Sequence, residues 1–133
     1  MDATYPLFWF DTTSGELEEL EKTHRKTDDT GKGRKLRCHI CEHVITFENL
    51  RISIAGNYEH IRTNPHGYEF QFECFQRAPG CSAFGNTTNE HSWFAGYQWQ
   101  IAVCGDCGEH LGWLFKGEDS FFGLISVRLI RED

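Results

Sequence analysis

The sequence predicts a mostly β, antiparallel domain braced by a metal site, with a short, partly flexible N-terminal extension. Three observations lead there: short stretches of alternating apolar and polar residues, no long helical period beyond residue 35, and two widely separated CxxC pairs. A chain of 133 residues has room for one hydrophobic core, so residues 36–133 are expected to form a single domain.

Residues 1–35 differ in character from the rest. "TTSGELEELEKTHRKTDDTGKGRK" is highly charged, Thr13 and Glu16 fit a capping box, and Leu17 and Leu20 give only a narrow apolar stripe. This predicts a short exposed helix and then a flexible linker. Ahead of it, "YPLFWF" carries Trp9, whose simplest role is packing. From Leu36 onward the pattern is that of short strands. "RISIAGN" offers Ile52 and Ile54 before a glycine turn. "YEFQFECF" alternates without a fault, with Tyr68, Phe70, Phe72 and Cys74 on one face and Glu69, Gln71 and Glu73 on the other, as a half-buried strand does. "QWQIAVC" groups Trp99, Ile101 and Val103, "HLGWLF" sets Trp113 and Phe115 on one side, and "LISVRLI" repeats the period with Ile125, Val127 and Leu129.

Charge narrows the partners. A formal net charge of −7 and a pI near 5.4 repel a phosphate backbone, and the longest basic run is "KGRK" at 32–35, so nucleic acid is not an expected partner. No stretch approaches the roughly 20 apolar residues that cross a bilayer. "MDATYPLFWFDTT" has an acid where a signal peptide carries its positive charge, so a cytoplasmic protein is expected.

Of six cysteines, Cys38 and Cys41 form "CHIC", and Cys104 and Cys107 form "CGDC". Two such knuckles supply four thiolates for a tetrahedral zinc ion, whose filled shell leaves no position for activating water. The site is expected to be structural, closing a long loop where a metal clip helps most. Disulfide or redox pairs are the competing reading, and His39, His43 and His110 lie near enough in sequence to compete as ligands. Cys74 is expected to be a buried thiol on an apolar strand face, and Cys81, within "RAPGCSAFGNTTNE", a more exposed loop thiol. A bridge between these two is disfavoured in a reducing compartment.

Three of the four tryptophans crowd around the second knuckle, either as core or as the walls of a cage. With "CHIC" upstream, "NPHGY" at 64–68, "EHSWFAGYQWQIAVCGDCGEHLGWLF" at 90–115 and "FFGL" at 121–124 closely resemble the CULT family, the cereblon-type thalidomide-binding domains, over about residues 36–131. The resemblance implies a β-tent fold of two antiparallel sheets pinned by zinc. It also implies a solvent-open cage walled by Trp93, Trp99 and Trp113 and closed by Phe115. Such a cage is a non-enzymatic binding module for cyclic imides of the glutarimide or succinimide type, the head group of thalidomide-like drugs and of cyclised C-terminal Asn or Gln residues. Uracil-like rings share that polar edge. By the same resemblance the backbone C=O of His91 accepts the imide N–H, the backbone N–H of Trp93 donates to a carbonyl, and Asn64 approaches from the other side.

Ala95 stands where the family motif has a proline. Ubiquitin-ligase components are not expected partners of this chain alone, which has no room for the further domains through which cereblon reaches them. Two other functions compete. A methylated-ammonium cage would use the same π faces with Glu90 as the carboxylate. An enzyme like the B-type methionine sulfoxide reductases, which also carry a double-CxxC zinc site, would need Cys74 or Cys81 as an activated thiol.

Overall fold

A computed structural model describes residues 33–132. The expected N-terminal helix, the linker up to residue 32 and Trp9 lie outside the described residues. Among the described residues nine strands follow one another: β1 Lys35–Cys38, β2 Val44–Phe47, β3 Glu59–Thr63, β4 Glu69–Phe75, β5 Cys81–Thr88, β6 Gln98–Cys104, β7 His110–Lys116, β8 Ser120–Ile125 and β9 Leu129–Arg131. They pair into two antiparallel sheets, a small one ordered β2-β1-β9 and a large one ordered β3-β4-β8-β7-β6-β5.

Both faces of the large sheet are covered, which explains its aromatic content. One face packs against the small sheet through Leu36, Ile45, Phe75, Leu111 and Leu124. The opposite face holds Phe72, Phe94, Trp113, Phe115 and Phe121. Gly123 lies between Phe72 and Phe115: a Cβ there would stand 2.8 Å from the Cδ1 of Phe72 and 3.0 Å from the Cε2 of Phe115, so the missing side chain lets the two rings close over the strand.

The four CxxC cysteines meet where the sheets join. Cys38 ends β1, Cys104 ends β6, and Cys41 and Cys107 sit in the turns that follow. All four sulfurs lie within 4.8 Å of one another, with Cys38 to Cys107 at 3.7 Å and Cys41 to Cys104 at 3.6 Å. Four sulfurs bonded tetrahedrally to an ion at about 2.3 Å stand roughly 3.8 Å apart, so the cluster fits one metal ion. The two knuckles repeat one backbone unit. Cys38 N–H donates to His43 O and Glu42 N–H to Cys38 O, and likewise Cys104 N–H donates to Glu109 O and Gly108 N–H to Cys104 O. Glu42 (φ 65°) and Gly108 (φ 81°) occupy the same left-handed position. Ile40 N–H and Asp106 N–H each reach the first sulfur of their knuckle at 3.4 Å, and His39 Nε2 meets Glu109 Oε2 at 2.7 Å across the two. Burial pushes the Cys107 thiol up to about 12, so a cation is needed to make it a thiolate.

Four sequence expectations change. Glu73 is not on a solvated face: it is 2% exposed, because the small sheet covers that end of β4. Arg51 and Arg131 lie against its Oε1 at 3.0 and 2.5 Å, and Ser126 Oγ donates to its Oε2 at 3.0 Å. Val127 does not continue a strand. The chain turns through a short 3-10 segment, Ser126–Arg128, and leaves Val127 81% exposed. Ile52 and Ile54 form no regular strand; bridges at Arg51 to Phe75 and Ile54 to Asn57 hold the segment while both isoleucines pack on the aromatic cluster. Cys81 is no exposed loop thiol: it opens β5 at 6% exposure.

Replacing Cys104 with serine, or stripping the ion with a chelator, is expected to lower the thermal midpoint steeply, because metal binding to four thiolates contributes on the order of 10 kcal/mol to folding; differential scanning calorimetry reads this directly. Glu73→Gln is expected to cost about 2–3 kcal/mol in urea denaturation by removing the buried carboxylate and leaving Arg51 and Arg131 to the more exposed Glu59 and Glu48, whereas Glu69→Gln, on the exposed part of the same strand face, changes stability by less than about 0.5 kcal/mol.

Candidate functional site: an aromatic cavity

The second aromatic face is open at one end. On β6 and β7 the register sets Trp99 opposite Phe115 and Ile101 opposite Trp113, so all four side chains share a face. β4 brings Phe70 and Phe72 beside them. Trp113 is 8% exposed and Phe115 1%, so these two form the floor, while Trp93 and Trp99 are half-buried and stand at the sides. Together they enclose a cavity of about 580 Å³, within the size range of small-ligand sites.

Each upper ring is pinned. Trp93, in the loop before β6, lies flat on Phe72 at 5.5 Å and 12° and meets Trp113 edge-on at 4.9 Å. Its Nε1–H donates to Thr63 O at 3.2 Å, and that of Trp99 to Glu90 O at 2.8 Å. The loop reaches this position through two left-handed residues, His91 (φ 57°) and Gly96 (φ 86°). A second loop faces it. Asn64 Oδ1 accepts from the backbone N–H of His66 and of Tyr68, both at 2.9 Å, and Gly67 N–H closes on Asn64 O. With Oδ1 used twice inside its own loop, Asn64 offers a ligand its amide N–H.

All six residues singled out from the sequence, Asn64, His91, Trp93, Trp99, Trp113 and Phe115, line this one cavity. Sequence reasoning left out of the site Pro65 and His66, Tyr68, Phe70 and Ile101, the last three of which it read as strand packing, and His110, which it read as a rival metal ligand. Tyr68 is 66% exposed and belongs to the mouth rather than to an apolar face. Period-two alternation signals Phe70 and Ile101, but it misplaces His110. Ala102 faces Gly112 while Val103 faces His110, so Leu111 is an extra residue and the bulge turns His110 to the Trp113 side, edge-on at 5.3 Å. Burial and then Arg128 lower the His110 imidazole to about 4, leaving it neutral, and its Nε2 lies 3.0 Å from Gly112 O.

The remaining thiols stand outside the cavity. Burial raises Cys74 to about 12 and Cys81 higher still, so neither rests as the activated thiolate that a sulfoxide-reductase reaction needs. Among the described residues no helix is long and apolar enough to cross a membrane.

No family model matches the chain. It is similar to protein cereblon of Gallus gallus, at 34% identity over 120 residues that cover 84% of this chain and 27% of that protein. Protein cereblon of Danio rerio gives 42% over 100 residues, 73% of this chain and 23% of the relative. That of Xenopus tropicalis gives 33% over 99 residues, 72% and 22%. The chain therefore spans about a quarter of the length of these curated relatives. Identity of this order with three vertebrate cereblons across most of the chain, on the fold its motifs led one to expect, means that the chain belongs to the cereblon-like CULT domain family.

Proposed function

We propose that the chain is a non-enzymatic binding module that holds a cyclic imide of the glutarimide or succinimide type between Trp93, Trp99 and Trp113, with Phe115 beneath. The observation that carries this reading is the convergence of three indoles from a loop and two strands around one open cavity whose lining also includes His91 and Asn64. An imide ring needs both kinds of surface. Its methylene rim is apolar and gains roughly 25 cal/mol per Å² on burial against the indole faces. Its polar edge carries an N–H between two carbonyls, and each group left unpaired would cost ~1–3 kcal/mol. The backbone C=O of His91 accepts the imide N–H, the backbone N–H of Trp93 donates to one carbonyl, and Asn64 donates from the opposite loop. A neutral His110 below the ring places no charge there. Thalidomide-like drugs and polypeptides ending in cyclised Asn or Gln both present such a ring, and a uracil-like ring presents a similar edge. So small a ligand is expected to bind in the micromolar range.

The ion in the four-cysteine cluster is proposed to be zinc, which favours four thiolates in tetrahedral array and no redox chemistry. When bound, it supplies rigidity. Cys38, Cys41, Cys104 and Cys107 hold it away from the cavity, so ligand recognition is left to the aromatic side chains and the backbone.

Titrating intrinsic tryptophan fluorescence with glutarimide and separately with trimethyl-lysine tests the reading. Saturable quenching by glutarimide supports it; quenching by the ammonium compound alone would favour the cation cage, to which Glu90 on the cavity lining supplies the carboxylate. Trp99→Ala is expected to raise the glutarimide Kd at least about tenfold with little loss of stability, since Trp99 is only half-buried.

His110 gives the domain a pH signature. Its folded value of about 4 lies below the ordinary 6.5, so the unfolded chain binds more protons between those limits. Stability contributed by the neutral ring is present above pH 6.5 and is lost as pH falls toward 4. His110→Gln is expected to flatten the urea midpoint over that window, while glutarimide affinity of the unmodified protein stays level from pH 8 to about 5.

A further inference from the structure

Cys81 is outside the four-sulfur cluster yet stands against it. The β5–β6 register is regular at this end, with Cys81 opposite Cys104, Ser82 opposite Val103 and Ala83 opposite Ala102. Gly105 N–H donates to Gly80 O at 2.9 Å, which makes the next pair, Cys81 and Cys104, a non-hydrogen-bonded one. In such pairs the Cα atoms approach to about 4.5 Å, inside the roughly 4.4–6.8 Å that a disulfide spans. Directly opposed residues share a sheet face, and Cys81, Cys38 and Cys104 all belong to the same buried cluster. The cluster is not sealed, since Cys41 and Cys107 are only half-buried.

We propose that Cys81 and Cys104 form an oxidation site that opens the metal cluster: under peroxide they join as a disulfide, and the ion loses one of its four ligands. The chemistry starts at an accessible sulfur. Peroxide oxidises the Cys41 thiolate to sulfenic acid, one oxygen passing to sulfur and the other leaving as water after taking a proton. Cys104, 3.6 Å away, attacks that sulfur, forming a disulfide and expelling hydroxide, which a proton converts to a second water. Cys81 then gives up its proton, attacks the Cys104 sulfur and releases Cys41 as a thiol. The net change is two thiols losing two hydrogens and two electrons to one peroxide, which becomes two waters. The product bond lies within the large sheet, so the covalent tie from β1 to β6 through the ion is lost. Reduction restores the four ligands.

The test treats the zinc-reconstituted protein with hydrogen peroxide, follows released ion with a chromophoric chelator, and maps linked cysteines by non-reducing peptide mass spectrometry. The expected result is stoichiometric ion release, a peptide pair joined through Cys81 and Cys104, and full recovery of metal binding after a thiol reductant and fresh zinc. In Cys81→Ala and Cys81→Ser, oxidation is expected to run on to sulfinic acid or to bridges among the four ligands, and recovery falls severalfold. Bridges confined to the four ligands, or joined through Cys74, in the unmodified protein overturn the proposal, as does full recovery in both variants. The peptide map of the unmodified protein decides even where a variant does not fold.

Discussion

Four sulfurs, two buried at the ends of β1 and β6 and two half-buried in the turns that follow, are the constraint on which the rest of the domain depends. The small sheet has only three short strands and could not bury enough apolar surface to stand alone. The large sheet places most of its aromatic side chains on the far face, where solvent would otherwise compete for them. Tying the two together at one edge commits the near face of the large sheet to the core and leaves the far face free to be shaped as a cavity. The same cluster fixes the turn of the β6–β7 hairpin, from whose strands Trp99 and Trp113 project.

The cavity stays open because its walls are satisfied elsewhere. Trp93 stacks on Phe72 and gives its N–H to Thr63, and Trp99 gives its N–H to Glu90, so neither indole gains a partner by collapsing inward. Beneath them Phe115 is clamped by Phe94 and Phe121 at 4.9 and 5.0 Å. Rigid rings with paired polar groups bind with little further ordering, which suits the small ring proposed as ligand, since such a ring could not offset a large entropic cost.

Much of this was legible in the chain, and the exceptions share a cause. CxxC spacing carried the cluster, because a four-thiolate site is written in local sequence. The order of aromatic motifs carried the cavity residues. Alternation in β4, β6 and β7 carried the strands. What alternation cannot carry is the moment when a face changes its neighbour. Glu73 reads as solvated but lies where the small sheet folds across, and there it needs Arg51 and Arg131, which come from distant segments. His110 is turned by a one-residue bulge that no period announces. Val127 continues an apolar period across a 3-10 turn that the pattern alone does not show. Cys81 looks exposed in a loop rich in small residues, yet it is paired in register with Cys104 of the four-sulfur cluster.

The pairing of β1 with β9 carries a consequence of its own. Leu36 faces Arg131 and Cys38 faces Leu129, and Glu132 N–H donates to Lys35 O, so the described residues enter and leave the fold on neighbouring strands. A unit with its two ends side by side can be spliced into a host polypeptide at a single point, its flanking segments parting from one spot without stretching across the surface. That geometry suits a cassette which, in cereblons several times its length, has to be carried without disturbing whatever else the host chain folds into.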